Sequence, residues 1–307
     1  MEGDLLASYV PSYLHMPRDE LVERADKARA LLKKCSLCPR RCGVDRLSGE
    51  RGFCRGGRLA RISSYAPHFG EEPPLVGTGG SGTIFLAGCN LGCVFCQNYE
   101  ISQEDDGIEI EAEHLAKIMV YLQELGCHNM NFVTPTHFMP QILEALVIAR
   151  DIGLKVPLIY NCGGYESLET LKLLDGIFDI YMPDIKYGSD EMALKYSKAP
   201  VYVERCQDAL REMHRQVGDL KIENGLARRG LLVRHLVLPC GIAGTPSAVK
   251  FLRGLSKDTY LNVMAQYRPA HKTREYPEIN RPITTKEYKE AVKRATAAGL
   301  TRGLDIY

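Results

Sequence analysis

The sequence predicts an α/β protein, a partial (β/α)6 TIM-like barrel carrying an N-terminal cysteine-rich extension. Three observations carry that reading. From residue 83 onward, short apolar strand patterns alternate about six times with helical patterns, the texture of parallel β/α units. Residues 35–82 are rich in Cys, Arg, Gly and Pro and show little periodicity. The length of 307 residues suits one such domain with an appendage. We therefore expect an N-terminal helix and Cys-rich segment over residues 1–75 and the partial barrel over 76–307. An open doubly wound sheet is the alternative architecture, and periodicity alone does not separate the two.

The elements follow in order. Leu21, Ala25, Ala28 and Leu32 recur at helical spacing and predict a helix over 18–34. Residues 35–82 read as a loop-rich segment that needs a metal or a neighbour to stay ordered. TIFLAG (83–88) is the first strand. A helix over 111–125 leads to a strand at 129–134, and a helix over 140–153 to a strand at 156–161. The helix at 167–176 precedes IFDIYMPDIK (177–186), which contains a strand. A helix over 201–217, a strand at 231–239, a helix at 246–256, a strand at 259–267 and a helix at 285–299 complete the chain.

Composition narrows the function classes. The formal net charge is +1, so no global field favours nucleic acid or an anionic membrane. No apolar run reaches the roughly 18–20 residues that span a bilayer. The first twenty residues, MEGDLLASYVPSYLHMPRDE, lack a basic region followed by an apolar core and do not read as a signal peptide. The expectation is a cytoplasmic protein with no nucleic-acid or membrane partner. In that compartment the 11 cysteines point to metal or chemistry rather than disulfides. Seven fall in two tight clusters, while Cys127, Cys162, Cys206 and Cys240 are scattered and read as small buried apolar residues.

The first strand runs into AGCNLGCVFCQNYEIS, where Cys89, Cys93 and Cys96 stand within eight residues. Three thiolates so close can all reach one cubane cluster, and soft sulfur selects iron–sulfur or zinc. No fourth cysteine lies within the next thirty residues, which leaves one iron open for an exchangeable ligand. The competing reading is a zinc knuckle that borrows a distant fourth ligand.

This spacing, with Phe95 before the third cysteine, resembles the radical S-adenosylmethionine (SAM) superfamily. The resemblance implies that the amino and carboxylate groups of SAM chelate the open iron of a [4Fe–4S] cluster. One electron then cleaves the C5′–S bond, and a 5′-deoxyadenosyl radical takes a hydrogen from the substrate. Residues 60–270 are similar to the pyruvate formate-lyase-activating enzymes, with SSYAPHFGEEPPLVGTGGSGTIFLAGCNLGCVFCQNYEIS close to one such subgroup throughout.

Further positions match that subgroup one at a time. Where the superfamily often has a Gly-Gly-Glu turn for the methionyl amino group, this chain has Thr134-Pro135-Thr136-His137, a departure in which backbone carbonyls or Thr hydroxyls would substitute. Asn161 opens the turn after the third strand. Met182-Pro183-Asp184-Ile185-Lys186 is similar to a segment in which the Asp helps bind a monovalent cation and the Lys faces cofactor or substrate. Arg234 matches an arginine that pairs with the methionyl carboxylate, a contact suited to a planar guanidinium. Tyr267-Arg268 stands where the family has Tyr-His near the adenosyl group. Phe95, Thr134, Thr136, Asn161, Asp184 and Arg234 are thus the candidate cofactor contacts. Lys186, Arg268 and His137, which stands just past a strand end, are the candidate catalytic groups. Without the resemblance, a lone Lys or Arg after a strand reads as a solvated rim residue. All lie at or near C-terminal strand ends, where barrel active sites form.

Cys35, Cys38, Cys42 and Cys54 form a second set. Four thiolates close a tetrahedral zinc site, or hold an auxiliary iron–sulfur cluster, or form a reduced cap without metal. The surrounding arginines screen a dianionic site, dock an acidic reductant, or form a solvated basic face. GTGGSG (77–82) lacks the Lys-Ser/Thr ending of a phosphate loop and precedes a strand. The expected function is radical activation of a glycyl-radical enzyme, served by a flavodoxin- or ferredoxin-like reductant. The alternatives are a radical enzyme acting on a small molecule or another protein side chain and, more remotely, an iron–sulfur electron carrier.

Overall fold

The computed structural model describes residues 9–104 and 106–304. The first eight residues of the stretch tested as a signal peptide, and the outer ends of both expected domains, lie outside the described residues.

Among the described residues nine strands form one sheet: β1 (Ala60–His68), β2 (Ser81–Leu86), β3 (Ile108–Ile110), β4 (Met130–Val133), β5 (Leu158–Cys162), β6 (Ile180–Pro183), β7 (Lys221–Glu223), β8 (Leu226–Leu236) and β9 (Tyr260–Met264). Their order is β3-β1-β2-β4-β5-β6-β8, with both β7 and β9 paired to β8. The series β2, β4, β5, β6, β8, β9 is parallel at every step. These six strands lie side by side in chain order. A doubly wound sheet requires a reversal of that order, whereas a β/α barrel runs in sequence. The fold is therefore the partial barrel, left open between its two edges.

Three features differ from the sequence expectation. Residues 35–82 are not all loop, because β1 pairs antiparallel with β2 and β3 and extends the sheet. The helix expected over 18–34 ends at Ala30, and the chain turns through 31–35. A helix at Asp190–Ser197 precedes the one at Tyr202–Val217, the break marked by left-handed Lys198 and Val201.

Alternation along the strands gives the sheet two buried faces. Met130, Phe132, Leu158, Tyr160, Tyr181, Leu231 and Val233 point to the helices and join their core. Ile159, Ile180, Met182, Leu232 and Tyr260 point to the concave side, where Leu75 packs on them. Leu75 comes from the β1–β2 connection. Because His68 pairs with Ser81 at the start of β2, this connection crosses the N-terminal end of the parallel strands. Asn129 holds it there: its Nδ2 donates to the Leu75 carbonyl at 2.8 Å, and its Oδ1 accepts from the Ser81 hydroxyl at 2.6 Å. The crossing is tight at Gly79, where a Cβ would lie 2.0 Å from the Gly126 carbonyl oxygen. Full burial of Leu75 contributes about 2 kcal/mol. The barrel is thus floored at one end, and its polar residues gather toward the other.

Candidate active site

β2 ends at Leu86, and the next residues reverse the chain. Gly88 has φ +83°, a conformation that favours glycine. A Cβ there would also lie 2.3 Å from the Cys54 carbonyl oxygen. Beyond it runs the loop of Cys89, Cys93 and Cys96, with Cys93 buried and the others half-buried. The loop is pinned through its backbone. Gly92 N donates to the Ser197 carbonyl (3.2 Å), Val94 N to the Tyr196 carbonyl (2.8 Å), and Lys272 N to the Val94 carbonyl (2.9 Å). Cys89 Sγ accepts from Leu91 N (3.3 Å), Cys93 Sγ accepts from the Ser197 hydroxyl (2.9 Å), and Cys96 Sγ lies 3.2 Å from Ser102 Oγ. Burial raises the thiols of Cys89 and Cys93 above their ordinary value, and the ammonium of Lys186 opposes it.

Among the described residues no three His, Cys, Asp or Glu side chains converge as they would around a single metal ion. A [4Fe–4S] cube takes its thiolates at separate iron corners. Three soft sulfurs on one loop, with a cation beside them, fit that group. The loop borders a cavity of about 350 Å³, lined in part by Cys89, Leu91, Gly92, Ser102, Gln103 and Lys198.

The ends of β5, β6 and β8 carry a charged network. Arg234 Nε donates to Asp184 Oδ1 at 2.8 Å, and its Nη2 donates to Asn161 Oδ1 at 2.6 Å. Lys186 Nζ donates to the other oxygen of Asp184 at 2.6 Å. The Tyr202 hydroxyl fixes the turn by accepting from Lys186 N (2.9 Å), with the Gly163 carbonyl 3.0 Å away as its own acceptor. Burial would raise the Asp184 carboxyl, but Arg234 and Lys186 hold it below its ordinary value. Burial would lower Lys186, but Asp184 and the Cys93 thiol raise it. All three groups therefore stay ionised. Each Asp184 oxygen accepts one bond from these cations.

Other expected residues are placed differently. Phe95 is buried with ring centroids 5.9 Å from Tyr267 and 6.4 Å from Tyr187, so it packs behind the loop. Thr134 has φ +61° and donates its N–H to the Asn161 carbonyl at 2.8 Å. Thr136 is buried and gives its hydroxyl to Glu166 Oε1 at 2.7 Å. Arg268 is exposed and is not part of the Asp184 network. His137 departs furthest. A 3-10 turn over Thr136–Phe138 swings it back beneath the first strand, where its Nε2 lies 2.8 Å from the Ala87 carbonyl. Burial lowers its pKa to about 3. It lines a small cavity of about 10 Å³ together with Cys35, Cys38, Cys42 and Cys54. It therefore lies at the N-terminal cysteines and not among the substrate-facing groups.

Glu71 and Glu72 escaped the sequence reading. Glu71 Oε2 lies 3.6 Å from Arg234 Nη1, and Glu72 Oε1 accepts from Asn262 Nδ2 at 2.8 Å. Burial raises the Glu71 carboxyl, against the pull of Arg234. The available signal was an adjacent acidic pair inside a segment otherwise rich in arginine.

The model of the radical SAM superfamily matches residues 83–224. An uncharacterized protein of Methanocaldococcus jannaschii is 33% identical over 282 residues, covering 89% of this chain and 77% of the relative. A second uncharacterized protein of that organism is 30% identical over 193 residues, covering 57% of this chain and 56% of the relative. A radical SAM methyltransferase from Sphaerobacter thermophilus aligns at a TM-score of 0.48 and 13% identity, over 72% of this chain and 65% of that one. The matched stretch begins in β2 and takes in the whole three-cysteine loop and the Asp184–Lys186 turn, and the chain carries a domain of the radical SAM superfamily, a family of enzymes that use a [4Fe–4S] cluster and S-adenosylmethionine.

Proposed function

We propose that this chain is a radical SAM enzyme of the pyruvate formate-lyase-activating-enzyme-like subgroup, with Cys89, Cys93 and Cys96 as the cluster ligands. The observation that carries the proposal is the meeting of those thiols with Lys186, Asp184 and Arg234 at the C-terminal ends of one parallel sheet. When bound, cluster and SAM supply one-electron cleavage of a C–S bond and, through it, hydrogen-atom abstraction. The chain's own residues orient and shield. Arg234, aimed by Asp184 and Asn161, offers a charge-assisted contact to a carboxylate. Lys186 keeps a positive charge beside the thiols. Phe95, held by Tyr187 and Tyr267, backs the loop against water. A non-catalytic electron carrier would have no use for the Arg234 network, which argues against that alternative.

The family resemblance favours a glycyl-radical enzyme as substrate, with a flavodoxin- or ferredoxin-like reductant, in the cytoplasm. A second reading, a small molecule or another protein side chain, is favoured by one observation: Glu71 and Glu72 bring carboxylates to Arg234 and Asn262, and a glycine main chain has no cation to meet them. Cys35, Cys38, Cys42 and Cys54 are read as a separate metal site, zinc or iron–sulfur, distinct from the radical centre.

Anaerobic reconstitution followed by dithionite reduction tests the proposal. The protein should bind about four irons through its three-cysteine loop and convert SAM to 5′-deoxyadenosine. Incubation with candidate glycyl-radical enzymes, read by electron paramagnetic resonance, separates the substrate readings. A reconstituted protein that leaves SAM intact overturns the assignment.

A further inference from the structure

We propose that the β1–β2 connection, residues 69–80, is the floor of the substrate chamber, and that Glu71 and Glu72 on it take a positively charged amine. The inference rests on the reading of the barrel as a radical enzyme and names the class of ligand its interior receives.

Leu75 seals the N-terminal end of the barrel against Ile159, Ile180 and Leu232. The residues just before it rise to the level of Arg234 and Asn262, which are register partners on β8 and β9. Asn131 is a register partner of Thr83 and Ile159, and Ile159 faces the concave core, so Asn131 points the same way. Asn131 is 0% exposed, Asn262 4% and Glu72 5%. Yet among the described residues both amide atoms of Asn131, Asn262 Oδ1 and Glu72 Oε2 find no hydrogen-bond partner. A buried polar atom left without a partner costs about 1–3 kcal/mol, so such atoms call for a ligand or water.

Three of these four atoms are acceptors. Asn262 cannot reverse its amide without losing the bond from its Nδ2 to Glu72, and reversing Asn131 leaves the number unchanged. Acceptors in excess call for a donor. The charges agree: Glu71, Glu72 and Asp184 face Arg234 and Lys186, and these five groups carry one net negative charge when ionised, with the His68 ring, 3.6 Å from Glu71 Oε1, neutral beside them. A primary ammonium has three donors and no acceptor, and it supplies both what Asn262 Oδ1 and Glu72 Oε2 need and the missing positive charge. An anionic ligand would meet Glu71 and Glu72 directly and be repelled.

Two sources share this chemistry: an amine of the substrate, and the methionyl ammonium of SAM itself. Isothermal titration of the reconstituted protein separates them, with putrescine as the amine and glutarate as an anion of similar length, each added to SAM-saturated protein. Putrescine should bind and glutarate should not. Glu71→Gln and Glu72→Gln should each weaken putrescine by about tenfold or more, the loss expected for one charge-assisted contact. Glu72→Asp, which keeps the charge, should retain binding and guards against a merely misfolded variant. Unchanged SAM affinity in the Gln variants assigns the amine to the substrate, whereas a tenfold loss of SAM affinity assigns it to the cofactor. The inference is overturned if neither Gln variant alters either titration, if putrescine does not bind and the Gln variants keep full SAM affinity, or if glutarate binds more tightly. Failure of the wild-type protein to cleave SAM would remove the enzyme reading separately, because the titrations require no turnover.

Discussion

The loop of Cys89, Cys93 and Cys96 and the segment of Cys35, Cys38, Cys42 and Cys54 touch where the Cys54 carbonyl lies against Gly88, and their surroundings differ in kind. The first borders a cavity of about 350 Å³. The second encloses about 10 Å³, room for one water-sized body. Beside the first loop, the Lys186 cation is matched by the Asp184 carboxylate. Beside the second, Arg46 is 1% exposed and among the described residues bonds to neutral carbonyls, those of Gly57 and His137. A buried cation without a counter-charge is costly. Burial also raises the Cys38 thiol to about 12 and lifts that of Cys54. Thiolates on a metal would give Arg46 its counter-charge and relieve both costs. Cysteine number is therefore a poor guide to role. Cavity size and counter-charge separate a site that can admit a ligand from one with room for little more than a water-sized body.

Four variants sharpen or break that contrast. The largest effect is expected at Cys93, the most buried thiol of the open loop. Cys93→Ala should abolish 5′-deoxyadenosine formation and lower iron content after reconstitution; cleavage at the wild-type rate would dissolve the distinction between the two regions. Next comes the double change Cys35→Ser with Cys38→Ser. It should lower the melting temperature by several degrees, a loss on the order of 2–4 kcal/mol for a structural metal, and remove one class of bound metal by elemental analysis. Dithionite-driven cleavage should survive. A double variant that folds well but cannot cleave SAM would place the N-terminal thiols inside the chemistry.

Arg234→Ala should weaken SAM binding by about 1.5–3 kcal/mol, the range for a charge-assisted contact, as read by calorimetry; unchanged affinity would make Arg234 a rim residue. The last variant concerns Glu166, a buried carboxylate that lies electrostatically near Cys38 on one side and Cys162 on the other. Burial raises its pKa from 4.5 to about 7, opposed by hydrogen bonds from Thr136 and Tyr160. A carboxyl whose folded pKa is raised holds its proton in the native state after the unfolded chain has lost it. Its contribution to stability is full below pH 4.5 and is lost as pH rises through about 7. Chemical denaturation of wild type and Glu166→Gln should therefore diverge across that window by up to about 3 kcal/mol, with the variant showing the flatter profile. Parallel profiles would show that Glu166 titrates normally.

Much of the barrel was legible because its parallel strands are buried on both faces. Runs such as Leu158–Cys162 and Tyr260–Met264 are buried at every position, so they read as apolar from sequence alone. β1 was not, since burial is confined mainly to Ala60, Arg61 and Ile62 while the rest of the strand faces outward and contains Pro67. β3 and β7 have three residues each, too few for a pattern. In the site, the spacing of Cys89, Cys93 and Cys96 identified their loop, and strand ends located Asp184, Lys186 and Arg234. His137 misled because position after a strand does not fix direction; the 3-10 turn at Thr136–Phe138 reverses it. Glu71 and Glu72 were hidden because their partners, Arg234 and Asn262, lie 163 and 190 residues away, and only the tertiary path of the β1–β2 connection brings them together.

That connection has an evolutionary consequence. The groups that flank the three-cysteine loop come from β5, β6 and β8, whereas the barrel's closed end is contributed by twelve contiguous residues between two antiparallel strands. Insertions, deletions or charge reversals within residues 69–80 leave the sulfur ligands and their supporting bonds untouched. A lineage could thus retarget its chemistry by rewriting one short stretch, and homologues with divergent sequence there should differ in what they accept before they differ in how they react.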